Sequence, residues 1–114
     1  MEKSLRPWGD YEVLLDDKDC KVKKISINPM QSPSYQYHHK RSEDWIIIQG
    51  LGHVRLDTES FEVRAGDRVH IPVLARHSIK NISEEEKLVF IEVQTGDYFG
   101  EDDIVRLEDK YGRA

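Results

Sequence analysis

The sequence has 114 residues, enough for one domain around one core, and its 38% hydrophobic and 34% charged residues suit many short strands under a highly charged surface. The 17 basic and 22 acidic residues give a net charge of −5, and no Lys/Arg cluster stands out, which argues against a nucleic-acid partner. One cysteine, Cys20, excludes an internal disulfide and fits a reducing, cytoplasmic setting; no apolar run approaches the roughly 20 residues of a membrane span, and the N-terminus lacks the apolar core of a signal peptide.

Taken in order, the chain opens on Arg6-Pro7-Trp8-Gly9, a turn whose Trp8 is expected to plug one end of the fold. A first strand is predicted over 11–15, a polar turn over 16–19, and a second strand over 21–27 with Ile25 and Ile27 inward. Residues 28–33, with two prolines, read as a loop. The apolar run 45–49 predicts a strand buried on both faces. A turn over 50–52 follows, then a hairpin of strands 53–56 and 61–63 joined by 57–60, a tight turn at 65–67 and a strand over 68–71 closed by Pro72. Further strands are predicted over 77–82 and 87–94, with a charged turn between them. In the last strand Glu92 and Gln94 alternate with Ile91 and Val93, and face either the interior or solvent. Asp102 and Asp103 could open a helix carrying Ile104, Leu107 and Tyr111 at helical spacing, with Gly112 ending it. The pattern predicts one all-β domain over 1–114, an antiparallel barrel or two-sheet jelly roll with a short C-terminal helix.

The stretch 36–50 carries the candidate chemistry. In a strand, positions two apart share a face, so Gln36 and His38 point together while Tyr35, Tyr37 and His39 point the other way. Glu43 follows just before the apolar run, and His77 is a candidate fourth ligand. Two imidazoles, an amide oxygen and one carboxylate suit a borderline divalent ion, zinc first, with manganese, iron, cobalt or nickel also suited.

Met30, Gln36-x-His38, Glu43 and Gly50 fall at the spacings of the first cupin motif, and Gly66, Pro72, Leu74, His77 and Asn81 at those of the second, with fifteen residues between Gly50 and Gly66. The chain therefore resembles a cupin, a double-stranded β-helix barrel. Met30 and Leu74 stand where the motifs have glycine, so both loops are expected to be stiffer or shifted. Arg6-Pro7-Trp8-Gly9, the segment around His38, Arg41, Glu43 and Trp45, and the tail from Gly96 to Arg113 further resemble the C-terminal isomerase domain of type II phosphomannose isomerases, here expected as a stand-alone domain. Lys40 and Asp44 replace histidines of that family's pattern, and Ser32 stands where it often has arginine.

The resemblance implies a metal-dependent aldose–ketose isomerase interconverting mannose 6-phosphate and fructose 6-phosphate, with Gln36, His38, Glu43 and His77 as metal ligands. Arg41 is the expected phosphate-binding cation, with Lys40 as helper, and Lys40, His39 and Glu92 are the candidates for moving the carbon-bound proton. The replaced histidines favour a second reading, a non-catalytic metal-containing cupin that holds a sugar or sugar phosphate. A homodimer is expected from the way cupins pair through their outer sheets.

Overall fold

The computed structural model describes residues 3–108 and Tyr111. Among these, eleven strands form: β1 (Lys3–Arg6), β2 (Gly9–Asp16), β3 (Cys20–Ile27), β4 (Tyr35–His38), β5 (Arg41–Gln49), β6 (Leu51–Leu56), β7 (Glu59–Arg64), β8 (Arg68–Ile71), β9 (His77–Asn81), β10 (Leu88–Gly96) and β11 (Ile104–Glu108). They make two antiparallel sheets, one in the order β1-β2-β3-β10-β5-β8, the other β11-β4-β9-β6-β7. This is the cupin double-stranded β-helix that the motif spacings imply. No helix among the described residues is long and apolar enough to cross a membrane.

Alternation decides what lies between the sheets. Ile25 and Ile27 of β3, Trp45 and Ile47 of β5, and Leu88 and Phe90 of β10 face Val54, Val63 and Ile79 of the second sheet, all nearly or fully buried. Fully burying such an aliphatic or phenyl side chain stabilises by about 1.5–3 kcal/mol. Trp8 joins this core. The same inward rows turn polar towards one end of the sandwich. Beyond Phe90 come Glu92 and Gln94; before Trp45 come Arg41 and Glu43; before Ile25 comes Lys23, and all five polar residues are buried. Glu92 pairs with both Trp45 and Lys23 across β10, and Gln94 pairs with Glu43.

At Gly50 the chain passes from β5 in one sheet to β6 in the other. Its φ is +93°, and a side chain there would meet the Lys87 carbonyl oxygen at 2.6 Å, so only glycine fits the crossing.

Three expectations are corrected. The run 45–49 is buried on one face only: Trp45 and Ile47 face the core, while Ile46 and Ile48 are 38% and 51% exposed. The second sheet covers a single side of β5, as antiparallel sheets allow. The tail is not helical. A single 3-10 turn over Glu101–Asp103 leads into β11, which adds to the edge of β4 with Ile104 opposite His38 and Arg106 opposite Gln36. The β4 edge offers backbone partners along this segment, and Ile104-Val105 is β-branched, which outweighs three apolar residues at helical spacing. Gly112 lies outside the described residues. Finally, the loops at Met30 and Leu74 keep the backbone of glycine. Met30 has φ +62° in a turn closed by Gln31 N–H donating to Asn28 O at 3.0 Å, and Leu74 has φ +70° in one closed by Ala75 N–H donating to Pro72 O at 3.1 Å. Both sit third in a four-residue turn, where a type II turn needs positive φ.

Candidate metal centre

His38 is the last residue of β4, Glu43 the third of β5 and His77 the first of β9, so both sheets contribute. Their ligand atoms lie within 4.8 Å of one another. His38 Nε2 is 3.1 Å from Glu43 Oε2, and His77 Nε2 is 3.9 Å from Glu43 Oε1. The two imidazole centroids are 5.2 Å apart. All three side chains are only 1–2% exposed.

Neighbouring groups orient the three. His77 Nδ1 lies 2.9 Å from the Ala75 carbonyl oxygen, which can only accept, so Nδ1 carries the proton and Nε2 is left as a lone pair facing the cluster. That Nε2 is buried without a hydrogen-bond partner, and so is His38 Nδ1. Burial lowers the His77 pKa below its ordinary value despite the opposing Glu43 charge, which favours the neutral imidazole that a metal requires. Trp45 Nε1 donates to Glu43 Oε1 at 3.0 Å and Arg41 Nε to Glu43 Oε2 at 3.1 Å. Burial alone would push the Glu43 carboxyl up; the His38 hydrogen bond and the charges of His77, Arg41 and His38 hold it well below the usual carboxylate range. A buried carboxylate that stays ionised beside two imidazoles with orphaned nitrogens is a donor set that fits a divalent cation.

Gln36 lies beside these residues. It pairs with His77 across β4 and β9, lines a cavity together with Glu43 and His77, and its Oε1 accepts from Ser34 Oγ at 2.9 Å. Arg41 is also in the cavity wall, 3% exposed, with Nη2 3.4 Å from His38 Nε2 and Nη1 buried without a partner. His39 and Lys40 are elsewhere. Both are exposed in the bend after β4, where His39 stacks on Tyr37 at 5.3 Å and the Lys40 ammonium lies 5.1 Å from the Tyr98 ring. The Asp103 carboxylate accepts from both their backbone N–H groups, at 3.2 and 2.9 Å. The expectation that Lys40 projects like His38 required the strand to continue. It ends at His38, so alternation does not carry across the bend.

Other cavity residues were not singled out by sequence. Lys23 sits on the inward phase of Ile25 and Ile27, a signal that was available; it pairs with Glu101 at 2.9 Å and lies 4.3 Å from the Tyr11 ring. Arg6 and Arg106 line the cavity from β1 and β11. Of the two orientations open to Glu92, the structure has the inward one: it is 6% exposed, in the cavity wall, and accepts from Gln94 Nε2 at 2.5 Å. Burial first, then the charge and hydrogen bond of Glu43, push its carboxyl up to about 8, against the pull of Lys23 and Arg41.

Residues 1–109 match the family model described as the mannose-6-phosphate isomerase C-terminal domain. The chain belongs to this family. A mannose-1-phosphate guanylyltransferase of Klebsiella pneumoniae is 38% identical over 109 residues, covering 96% of this chain and 23% of that protein. The alginate biosynthesis protein AlgA of Pseudomonas aeruginosa is 41% identical over 109 residues, covering 96% and 22%. The chain thus spans about a quarter of the length of the curated relatives it matches. An RmlC-like cupin from Shewanella frigidimarina superposes with a TM-score of 0.76 over 89% of this chain and 86% of that one, at 20% identity, a likeness of fold. For a mannose-6-phosphate isomerase C-terminal domain, the departures at Lys40, Asp44 and Ser32 are peripheral. Asp44 faces outward and pairs with His70 at 2.8 Å, and Ser32 donates to the Pro33 carbonyl oxygen outside the main cavity.

Proposed function

We propose that this chain is a metal-dependent isomerase interconverting mannose 6-phosphate and fructose 6-phosphate, with Gln36, His38, Glu43 and His77 as ligands of one divalent ion, zinc first and manganese, iron, cobalt or nickel after it. The observation that carries the reading is the convergence of His38, Glu43 and His77, with Glu43 and His77 lining a cavity whose wall also holds several cations and the further carboxyls Glu92 and Glu101. A divalent ion there would supply an electrophile for sugar hydroxyl and carbonyl oxygens and lower the cost of negative charge on them.

The chain's own residues have the remaining work. Isomerisation takes a proton from C2 of the aldose and returns one to C1 of the ketose through an enediol. His39 and Lys40 are outside the cavity, so they leave the set of proton carriers. Glu92 remains, with a pKa near neutrality and a position beside Glu43. Arg41 holds Glu43 and His38 in place. The exposed apolar residues Ile46 and Ile48 on the outer face of the six-stranded sheet support a homodimer formed through that face.

The test is incubation of metal-loaded protein with mannose 6-phosphate in deuterated water. Fructose 6-phosphate carrying solvent deuterium is expected. Binding of the sugar phosphate without product, for each of several divalent metals, would decide for a non-catalytic sugar-phosphate-binding cupin.

A further inference from the structure

We propose that Arg106, and not Arg41, receives the phosphate group of the substrate, with Arg6 of the same cavity wall as a second cation; this deepens, and rests on, the sugar-phosphate reading above. Four cations line the cavity, Arg6, Lys23, Arg41 and Arg106. Two are already engaged by carboxylates inside it: Lys23 by Glu101 at 2.9 Å, and Arg41 by Glu43 at 3.1 Å. Arg41 Nη1 is also without a partner, but turning this guanidinium onto a ligand would loosen the Nε contact that holds Glu43 in place for the metal reading.

Arg106 has no such engagement. Its Nε is buried without an acceptor, and no carboxylate among the described residues pairs with its guanidinium. Glu108, two residues along β11, pairs with Arg55 instead, at 3.4 Å. A buried N–H without an acceptor costs about 1–3 kcal/mol, so a ligand oxygen delivered there recovers interaction that the free protein lacks. Among the described residues Arg6 likewise pairs with no carboxylate: it donates to the Leu5 carbonyl oxygen at 2.8 Å and to the Tyr11 hydroxyl at 3.1 Å.

Register sets the distance. Arg106 pairs with Gln36, and Gln36 pairs with His77, so the three stand side by side across β11, β4 and β9. Adjacent strands are about 4.8 Å apart, which puts the Arg106 backbone about 10 Å from that of His77. Ile104 and Arg106 are the half-buried pair of β11 and both line the cavity, while Val105 and Leu107 are exposed. A ligand gripped by oxygens at one end near His77 and by a dianion at the other matches this span, and a guanidinium fork suits phosphate oxygens in pairs.

The experiment is calorimetric titration of the metal-loaded full chain with mannose 6-phosphate, mannose and inorganic phosphate. Wild type is expected to favour mannose 6-phosphate over mannose, with inorganic phosphate competing. Arg106→Gln should weaken mannose 6-phosphate and inorganic phosphate binding by about 10- to 100-fold, the range of a lost charge-assisted hydrogen bond, and leave mannose affinity and metal content unchanged. Arg106→Lys keeps the stem and charge but loses the fork; it should weaken mannose 6-phosphate selectively, and it stands in should the glutamine variant fail to fold. A folded variant that binds mannose 6-phosphate as wild type does, or that weakens both sugars equally, overturns the assignment of Arg106 and leaves the isomerase reading standing. Wild type that binds mannose and mannose 6-phosphate equally overturns the sugar-phosphate reading itself.

Discussion

The Arg41 guanidinium lies against the Glu43 carboxylate, Nε to Oε2 at 3.1 Å, with both side chains almost completely buried. The contact joins a residue that sequence marks as a substrate cation to one that it marks as a metal ligand. They are two apart on β5 and so project into the same space. Since Arg41 Nη2 also reaches towards His38 Nε2, one side chain touches two members of the candidate metal cluster.

Arg41→Lys is therefore expected to alter the metal site itself. Lysine keeps a positive charge but cannot reproduce a planar fork that meets Glu43 and His38 together. Metal affinity should fall by about 10- to 100-fold, the usual effect of losing a group that orients a ligand. Arg41→Ala, which leaves Glu43 buried beside no guanidinium, should cost about 3–5 kcal/mol of metal-free stability. Competition with a chromogenic chelator measures the first, urea denaturation the second. Unchanged metal affinity in the lysine variant would return Arg41 to the ligand-binding wall alone.

Leu74→Gly should stabilise the protein. Leu74 holds φ +70°, which a side chain tolerates at a cost of about 1–2 kcal/mol, and it is 56% exposed, so little packing is lost. The added freedom of glycine in the unfolded chain offsets part of the gain, so a net rise of about 0.5–1 kcal/mol is expected. Its N–H donates to the His38 carbonyl oxygen at 2.9 Å, a bond that glycine keeps, so metal affinity should not change. Thermal unfolding of metal-free protein checks the sign; a lower midpoint would mean that the turn carries no strain.

How far the sequence reaches is visible in these residues. His38, Glu43 and His77 were legible because strand alternation and motif spacing are local and periodic, and the fold only has to bring three strand ends together. Arg41 was singled out only through the family resemblance, since by itself a charged residue beside a bend reads as a solvated one. His39 stacks on Tyr37, on the side that alternation gives it, whereas the projection of Lys40 was misread because a bend resets alternation, and that bend is held by Asp103 reaching back from more than sixty residues away. The tail was misread because Ile104, Leu107 and Tyr111 fit a helical spacing, while the edge of β4 that claims the segment lies far away in sequence. Ile46 and Ile48 looked interior because hydrophobicity does not say which face of a sheet is covered.

Those two residues carry the oligomer prediction. Ile46 lies opposite Ile91 on the outer face of the sheet, and Val93 lies opposite Val22 one strand further on. A single charge set into such a strip opposes burial against a second copy. Ile48→Glu should shift the protein from dimer to monomer in sedimentation while leaving its fold intact, since Ile48 is half exposed already. Wild type that sediments as a monomer would remove the dimer from the proposal.

The last prediction concerns the pH dependence of the metal-free protein. Glu92 holds its proton up to about 8 in the fold against an ordinary value of 4.5, because it is buried beside the ionised Glu43. Between those values the folded chain carries a proton on Glu92 that the unfolded chain has released. Stability therefore falls as pH rises through this window: the contribution is fully present below 4.5 and is lost as pH passes 8. Glu43 and His77 act in the opposite direction, since both pKa values are lowered in the fold and their contributions fade as pH falls. Wild type should thus be most stable at an intermediate pH. Glu92→Gln keeps the size and a donor for Glu43 but has nothing to ionise, so it should abolish the alkaline decline and leave the acid limb in place. Urea denaturation of chelator-treated wild type and variant, from about pH 5 to about pH 9, measures both limbs. Parallel alkaline slopes in the two proteins would show that Glu92 is not held protonated, and would also withdraw it as the proton carrier of the proposed isomerisation.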